Sequence, residues 1–231
     1  MIISPTKVNL YLKCPRMCLY YMQGVPQKKV EALEYGLKVH EVIAKYYELI
    51  PKRMTVAAVE HYVRKAVKEV GFDDSGGSEI DNFIKFEKWR ITNRVGYPVA
   101  VEKDFRKGDI HGKIDCLLQI NNKKIVVDWK TGYRYKAINS DMARQGLIYK
   151  YVTDADDVIF IFLTGDKAVW ARLSDSIGLL DVDMEDILKA ASEIKKGEFP
   201  IREGPHCRNC LYNIRCNLDR LGWDLWDIGR F

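Results

Sequence analysis

The middle of the chain carries the pattern that most constrains its fold. Between residues 97 and 130, apolar and polar residues alternate through three consecutive stretches, which read YPVAVEKDFRK, DIHGKIDCLLQI and KKIVVDWK. Alternation with a period of two is typical of β-strands, and Asn121-Asn122 between the last two stretches is typical of a hairpin turn. The pattern therefore predicts three strands in succession, the last two joined as a hairpin.

A helix and two more strands are predicted to follow these three. Residues 140–151 have helical spacing, and DVIFIFLTGDKAVWARL predicts two strands around a turn at Gly165-Asp166. Further helices are predicted over residues 30–49, 54–71, 79–95 and 181–197, and a short one begins at Ser4-Pro5. Ser4 is expected to cap the short helix and Thr55 the helix over 54–71. This order predicts an α/β core with a helical insertion in front and an irregular tail from Pro200.

Composition places the chain among soluble globular proteins. Of the 231 residues, 47% are hydrophobic and 30% are charged. No apolar run approaches the roughly 20 residues of a membrane span, and the first residues lack the features of a signal peptide, so a cytoplasmic protein is expected. The net charge of +5 is compatible with nucleic-acid binding, but many enzymes that bind no nucleic acid have a similar charge.

Two of the predicted strands carry carboxylates among apolar residues. Asp128 and Lys130 are two apart and share one face of their strand, and Asp115 lies on the preceding strand. If the strands form a hairpin, the two aspartates converge, and a divalent cation such as Mg²⁺ or Mn²⁺ would relieve their repulsion. The alternative interpretation is a salt-bridged Asp–Lys pair at a sheet edge, which a lone D-x-K triplet favours.

Two helical segments add further candidates. Gln145 and Tyr149 are four apart and share a helix face, which suits contact with a phosphate or a base edge, although a surface polar pair has the same spacing. His40 falls on a helical stripe with Leu33 and Leu37, so it is expected to face inward. A lone inward histidine is more often a core residue than a ligand.

The tail holds three cysteines within ten residues, Cys207, Cys210 and Cys216. Thiols are kept reduced in the cytosol, so clustered cysteines there bind metal more often than they pair. Thiolate sites usually have four ligands, which leaves the fourth to be found elsewhere. Zinc, an iron–sulfur cluster and a disulfide all remain open on the residues alone.

Taken in chain order, these candidates form a recognisable series of motifs. The series is Cys14, Gly36 to His40, Gly112 to Asp115, Asp128 to Lys130, Gln145 to Tyr149, and then Cys207, Cys210 and Cys216. It resembles the RecB-like nucleases of the PD-(D/E)xK superfamily, and among them the small CRISPR-associated exonucleases that carry an iron–sulfur cluster. The resemblance implies a mixed central sheet flanked by helices.

The resemblance also implies roles for single residues. His40, Asp115 and Asp128 would bind the catalytic Mn²⁺ or Mg²⁺ together with the backbone carbonyl of Trp129, and Lys130 would be the catalytic lysine. Gln145 and Tyr149 would position the DNA strand. The sequence departs from the family at Asp128, where glutamate is usual, and Glu102 is a further acidic candidate.

For the cysteines, the resemblance implies an iron–sulfur cluster with Cys14 as the fourth ligand, which would tie the first helix to the tail. Cys18, one helical turn away, is the rival ligand, and Cys116 is expected to pack in the core. A 4Fe–4S cluster is the first expectation and 2Fe–2S the second, since both take four cysteines. Zinc is the alternative metal.

The implied activity is metal-dependent hydrolysis of single-stranded DNA from an end, with 5′→3′ polarity, in CRISPR adaptation. Partners would be single-stranded DNA and the integrase subunits of that system. The chain would then be one nuclease domain with four parts, which cover 1–28 with a cluster ligand, 29–95 as a helical cap, 96–199 as the nuclease core and 200–231 as the cluster tail. The competing hypothesis is a non-catalytic module that binds DNA or a partner.

Overall fold

The computed structural model describes residues 1–26, 31–74, 77–132 and 137–222. These residues divide into two compact units. The larger unit lies within residues 30–183, and the smaller one combines the two ends of the chain, within 1–29 and 184–231.

A five-stranded sheet is the centre of the larger unit. Its strands are β1 (Ala100–Lys107), β2 (Ile110–Ile120), β3 (Lys123–Lys130), β4 (Asp157–Phe162) and β5 (Val169–Arg172), in the order β1-β2-β3-β4-β5. All neighbours are antiparallel except β3 and β4, which are parallel and joined by a helix, as a parallel pair requires. The mixed sheet confirms the predicted α/β class and the predicted order of strands.

Helices of the larger unit pack on both faces of this sheet. They are α3 (Glu31–Leu49), α4 (Val59–Val70), α5 (Glu79–Thr92), α6 (Ser140–Thr153) and α7 (Leu173–Ser176), with 3₁₀ turns at Val56–Ala58 and Ile177–Leu179. The helices α3, α4 and α5 share one apolar core with Cys116 and Val127, whereas α6 shares another with Leu117 and Val126. Adjacent strand residues therefore enter different cores, as the pleat of a strand dictates.

Local turn chemistry follows the sequence closely. Asn121 and Asn122 both have positive φ angles, of 48° and 64°, as a tight hairpin turn requires. Gly71 ends α4 in the left-handed conformation. Thr55, expected to cap this helix, instead precedes the 3₁₀ turn and makes no side-chain capping bond.

The buried face of α3 differs from the predicted stripe. Leu33 and Leu37 are exposed, and the buried positions are Gly36, Val39, Val42, Ile43, Tyr46 and Tyr47. Both sets have helical spacing, so periodicity alone does not decide which face packs on the sheet. His40 lies at the margin of the buried face and is half-buried.

A carboxylate with no solvent exposure lies inside the helical layer. Glu87 on α5 accepts hydrogen bonds from the hydroxyls of Tyr46 and Tyr47, at 2.7 and 2.6 Å. Arg90 donates to both Glu87 oxygens, at 2.7 and 2.9 Å, and also to the backbone carbonyls of residues 95 and 96. The network is fully paired, which a buried charge requires.

The smaller unit is helical. It contains α1 (Pro5–Lys13), α2 (Pro15–Met22), α8 (Met184–Lys196), a 3₁₀ segment at Pro205–Asn209 and α9 (Asn213–Arg220). Ser4 caps α1 through a bond from the backbone N–H of Lys7, as predicted. The rings of Tyr20 and Tyr212 pack 5.6 Å apart beside Cys14. None of the described helices has both the length and the apolar character needed to cross a bilayer.

Candidate active site

Asp115 lies where the hydrogen-bond ladders on both sides of β2 are interrupted. The pairing of β2 with β3 runs from Ile120–Lys123 to Cys116–Val127 and stops there. Beyond that point the backbone N–H of Trp129 donates to the Asp115 side chain, at 2.8 Å to Oδ2. A side chain thus replaces a ladder bond, and the carboxylate is held at a gap in the sheet.

The imidazole of His40 reaches this gap from α3. Its Nδ1 lies 3.4 Å from Asp115 Oδ2 and 3.7 Å from Glu102 Oε1 on β1. Burial lowers the pKa of His40, but the two carboxylates outweigh burial and raise its pKa to about 10. The imidazolium therefore neutralises part of the negative charge at the site, and a cation that bound His40 would displace its proton.

Asp128 on β3 is almost fully buried beside Asp115. Burial raises its pKa to about 6 and the charge of Asp115 adds to the rise, whereas Lys130 opposes it. Lys130 Nζ lies 2.6 Å from Asp128 Oδ2, but this ion pair lacks hydrogen-bond geometry, and no donor among the described residues bonds to Oδ2. The pKa of Asp115 is lowered, because the cationic neighbours His40 and Lys130 outweigh its burial.

A relay of polar side chains connects the acidic residues with α6. Lys130 Nζ donates to Gln145 Oε1 at 2.8 Å, and Gln145 Nε2 donates to the hydroxyl of Tyr149 at 2.6 Å. Tyr149 is buried, and burial raises its pKa well above its ordinary value, so the hydroxyl remains protonated. A β-carbon added at Gly112 would lie 3.1 Å from the Tyr149 ring, so glycine permits the close approach of β2 and α6.

The structure brings the predicted site residues of the larger unit together. Among the described residues, His40, Glu102 and Asp115 form a group whose ligand atoms lie within 4.8 Å of one another. Glu102, a minor candidate on the sequence, belongs to this group, and Asp128 lies beside it without being one of the three. Glu102 is not part of any of the sequence motifs. The only indication of its role in the sequence was that it is an acidic residue on the strand before Asp115.

This donor set fits a hard divalent cation. Carboxylate oxygens with one imidazole suit Mg²⁺ or Mn²⁺. Asp128 Oδ2 is buried, with the Lys130 ammonium 2.6 Å away and no hydrogen bond accepted from the described residues. The fit rests on the ligand atoms of His40, Glu102 and Asp115, and on the charge of Asp115, which adds to the rise that burial causes in the pKa of Asp128.

Gly36 holds α3 against the end of β3, and this contact positions His40 one turn later. A β-carbon at residue 36 would lie 2.6 Å from Thr131 Oγ1, which is closer than such atoms approach in real structures. We expect Gly36→Ala to displace α3 and lower nuclease activity roughly tenfold, since small misplacements of a site residue cost this much or more.

The matched rescue for Gly36→Ala is the double variant Gly36→Ala/Thr131→Ala. It removes the clashing hydroxyl. The next nearest atom is the Cβ of residue 131, which alanine retains and which lies 3.8 Å away, at ordinary van der Waals distance. Recovery of activity in the double variant, measured as kcat/KM in a mutant cycle, supports the steric account. Additive losses would contradict it.

The smaller unit contains a cavity of about 110 Å³ lined by four thiols, those of Cys14, Cys207, Cys210 and Cys216. Burial raises the pKa of Cys210, and the three neighbouring thiols add to that rise. The backbone N–H of Arg202 donates to Cys14 Sγ at 3.4 Å. Cys18 does not line the cavity, and its Sγ lies 3.8 Å from Met22 Sδ. Cys116 is buried in the core of the larger unit, as expected.

A family model matches almost the whole chain. The model describes the PD-(D/E)XK nuclease superfamily and aligns with residues 2–217. The chain belongs to the PD-(D/E)XK nuclease superfamily. Nucleases of this superfamily use divalent metals, and among the described residues the acidic gap beside β2 has ligands that suit one.

Two solved structures resemble this PD-(D/E)XK chain distantly. SSO0001 is 16% identical with a TM-score of 0.39, over 80% of this chain and 96% of that one. The alkaline exonuclease LHK-Exo from Laribacter hongkongensis is 10% identical with a TM-score of 0.36, over 82% and 99%. The family assignment does not depend on either likeness. No curated protein matches the chain.

Proposed function

We propose that this PD-(D/E)XK protein is a Mn²⁺- or Mg²⁺-dependent DNA exonuclease that hydrolyses phosphodiesters from single-stranded ends with 5′→3′ polarity. The observation that carries the proposal is the meeting of His40, Glu102 and Asp115, whose ligand atoms lie within 4.8 Å of one another, next to the buried Asp128–Lys130 pair. Carboxylates this close repel one another unless a cation lies among them.

His40, Asp115 and Asp128 would hold the cation, with the carbonyl of Trp129 as a further ligand. When bound, a divalent cation supplies positive charge that polarises the scissile phosphate and acidifies a nearby water. Lys130 is held between Asp128 and Gln145, so its ammonium has a fixed position from which to stabilise the negative charge that develops on the phosphate. Gln145 and Tyr149 orient that lysine and the DNA strand.

Digestion of single-stranded DNA labelled at either end tests the proposal. We expect loss of full-length substrate with Mn²⁺ or Mg²⁺, no loss with EDTA, and release of short products from the 5′ label first. Double-stranded DNA with blunt ends is the comparison substrate. Intact DNA with both metals would contradict the enzyme proposal and favour a non-catalytic module that binds DNA or a partner.

We propose that the four thiols of the smaller unit bind an iron–sulfur cluster. A 4Fe–4S cluster is the first choice and a 2Fe–2S cluster the second. Four cysteines satisfy either cluster. All four thiols line one cavity, so a single group can bind them together, and zinc is the alternative occupant.

Replacing Cys14 and Cys18 separately tests this cluster proposal. We expect Cys14→Ser to lose most iron and sulfide and the visible absorbance of the purified protein, because Cys14 lines the thiol cavity. Cys18→Ser should keep them, since Cys18 lies outside that cavity. Protein that contains zinc in place of iron and sulfide would contradict the cluster, and loss of iron in Cys18→Ser would contradict the choice of Cys14.

The proposed biological role is the processing of DNA ends before their integration into a CRISPR array, with the integrase subunits as partners. The combination of the nuclease motifs with four cysteines that flank them in the sequence and line one cavity supports this role. Co-purification of this chain with the integrase subunits is the direct test, and their failure to associate would contradict the partnership while leaving the nuclease activity unaffected.

A further inference from the structure

Glu102 is placed at the site by an unusual backbone conformation. The pairs Val101–Cys116 and Lys103–Ile114 join β1 to β2 on either side of it, with no register shift between them. Glu102 itself has a φ angle of 47°, in the left-handed region that residues other than glycine rarely adopt. The strand therefore departs from regular geometry at this one residue, next to Asp115, and resumes its pairing immediately afterwards.

The two oxygens of Glu102 have different neighbours. Oε2 lies 2.7 Å from Nζ of Lys113, which projects from β2 two residues before Asp115. Oε1 lies 3.7 Å from His40 Nδ1, beyond hydrogen-bond distance. Lys113 thus fixes one oxygen of the carboxylate and leaves the other directed at His40 and Asp115.

An independent feature supports a cation at the same site. The chain belongs to a nuclease superfamily that uses divalent metals, and a third carboxylate, Asp128, is 2% exposed and lies one residue before Trp129, whose N–H bonds to Asp115. Asp128 Oδ2 has the Lys130 ammonium 2.6 Å away and accepts no hydrogen bond from the described residues. The site therefore offers three carboxylates and one imidazole.

We propose that Glu102 is an additional ligand of the divalent cation and that Lys113 is the residue that positions it. The inference rests on the proposed function, in that the site must bind a divalent cation. The positive charge of Lys113 by itself would repel a bound cation. In this arrangement Lys113 instead favours cation binding, because its bond to Glu102 Oε2 keeps Oε1 directed toward the other ligands.

Mn²⁺ binding to the purified protein tests both roles, by titration calorimetry and by the electron paramagnetic resonance signal of free Mn²⁺. We expect Glu102→Gln to weaken Mn²⁺ binding at least roughly tenfold, and the loss to persist at high salt, because ligation is screened much less than long-range attraction. The water-proton relaxation rate per bound Mn²⁺ should rise, since water replaces the lost ligand.

Replacing Lys113 tests the positioning role more directly, because the two accounts predict opposite changes in Mn²⁺ affinity. If its charge alone mattered, Lys113→Met would tighten Mn²⁺ binding, since a positive charge near the cation is removed. We expect weaker binding, and recovery in Lys113→Arg, whose guanidinium can hold the same carboxylate. Tighter binding by Lys113→Met would overturn the positioning role.

An ion pair away from the site provides a matched control. Asp154, after α6, pairs with Lys107 at the end of β1 at 2.8 Å, in an exposed carboxylate–lysine pair. Asp154→Asn should leave Mn²⁺ affinity unchanged. Wild-type affinity in Glu102→Gln would overturn the inference and leave the nuclease proposal intact, whereas wild-type protein that binds no Mn²⁺ would overturn both. If Glu102→Gln does not fold, Lys113→Met leaves β1 unaltered and decides the question.

Discussion

Asp128→Asn is expected to abolish nuclease activity while the protein remains folded. The substitution keeps the size of the side chain and removes the negative charge that a divalent cation requires. We expect kcat/KM to fall on the order of 10²–10³-fold or more, which is the loss seen when one preorganised electrostatic group is removed from an active site. Rates of single-stranded DNA digestion at saturating Mn²⁺ provide the measurement.

The thermal unfolding midpoint of metal-free Asp128→Asn shows whether a loss of activity comes from the missing carboxylate or from unfolding of the protein. Burial raises the pKa of Asp128 to about 6, so its ionisation lowers the free energy of unfolding progressively as pH rises from the ordinary carboxyl range to about 6, and by a constant amount above that value. Asparagine has no such ionisation, and Lys130 keeps its bond to Gln145. The midpoint at pH 7 should therefore stay equal or rise. A large fall would contradict this account.

Glu87→Ala is expected to destabilise the protein more than any surface change. The carboxylate receives four hydrogen bonds, from Tyr46, Tyr47 and twice from Arg90, and has no solvent exposure. Its removal leaves the Arg90 guanidinium buried without its counter-charge, and breaking a buried pair in this way costs about 3–5 kcal/mol. Denaturant unfolding of the two proteins measures the difference in the free energy of unfolding.

Glu60→Ala is the control for Glu87→Ala in the same helical layer. Glu60 and Lys88 form an exposed ion pair at 3.4 Å, which contributes about 0–1 kcal/mol at most. The two variants remove the same chemical group, so the difference between them isolates burial. Similar unfolding free energies for both variants would contradict the view that the Glu87 network stabilises the helical layer.

The strands and turns were predictable because their determinants are local. Alternation over residues 123–130 predicted β3 at its observed bounds, and the Asn121-Asn122 pair provides the two positive φ angles of the hairpin. The buried face of α3 was not predictable, since the exposed Leu33 and Leu37 are hydrophobic and have the same helical spacing as buried residues such as Val39 and Ile43. Which face packs on the sheet depends on partners distant in sequence.

The Glu87 network and the site role of Glu102 were not predictable for related reasons. Glu87 lies in a charged stretch that reads as a solvated helix face, and only its contacts with Tyr46, Tyr47 and Arg90 make its burial tolerable. Glu102 approaches His40 through one left-handed residue in a regular strand, which no propensity indicates.

By itself the sequence determined the α/β class, the order of the strands, and the residue types at the site, because periodicity, turn residues and the spacing of D-x-K and C-x-x-C are properties of neighbours along the chain. The tertiary structure alone decided which of these residues meet. His40, Glu102 and Asp115 come from a helix and two strands, and their distances depend on packing across the sheet. Long-range packing also decided that Cys14, and not Cys18, lines the thiol cavity.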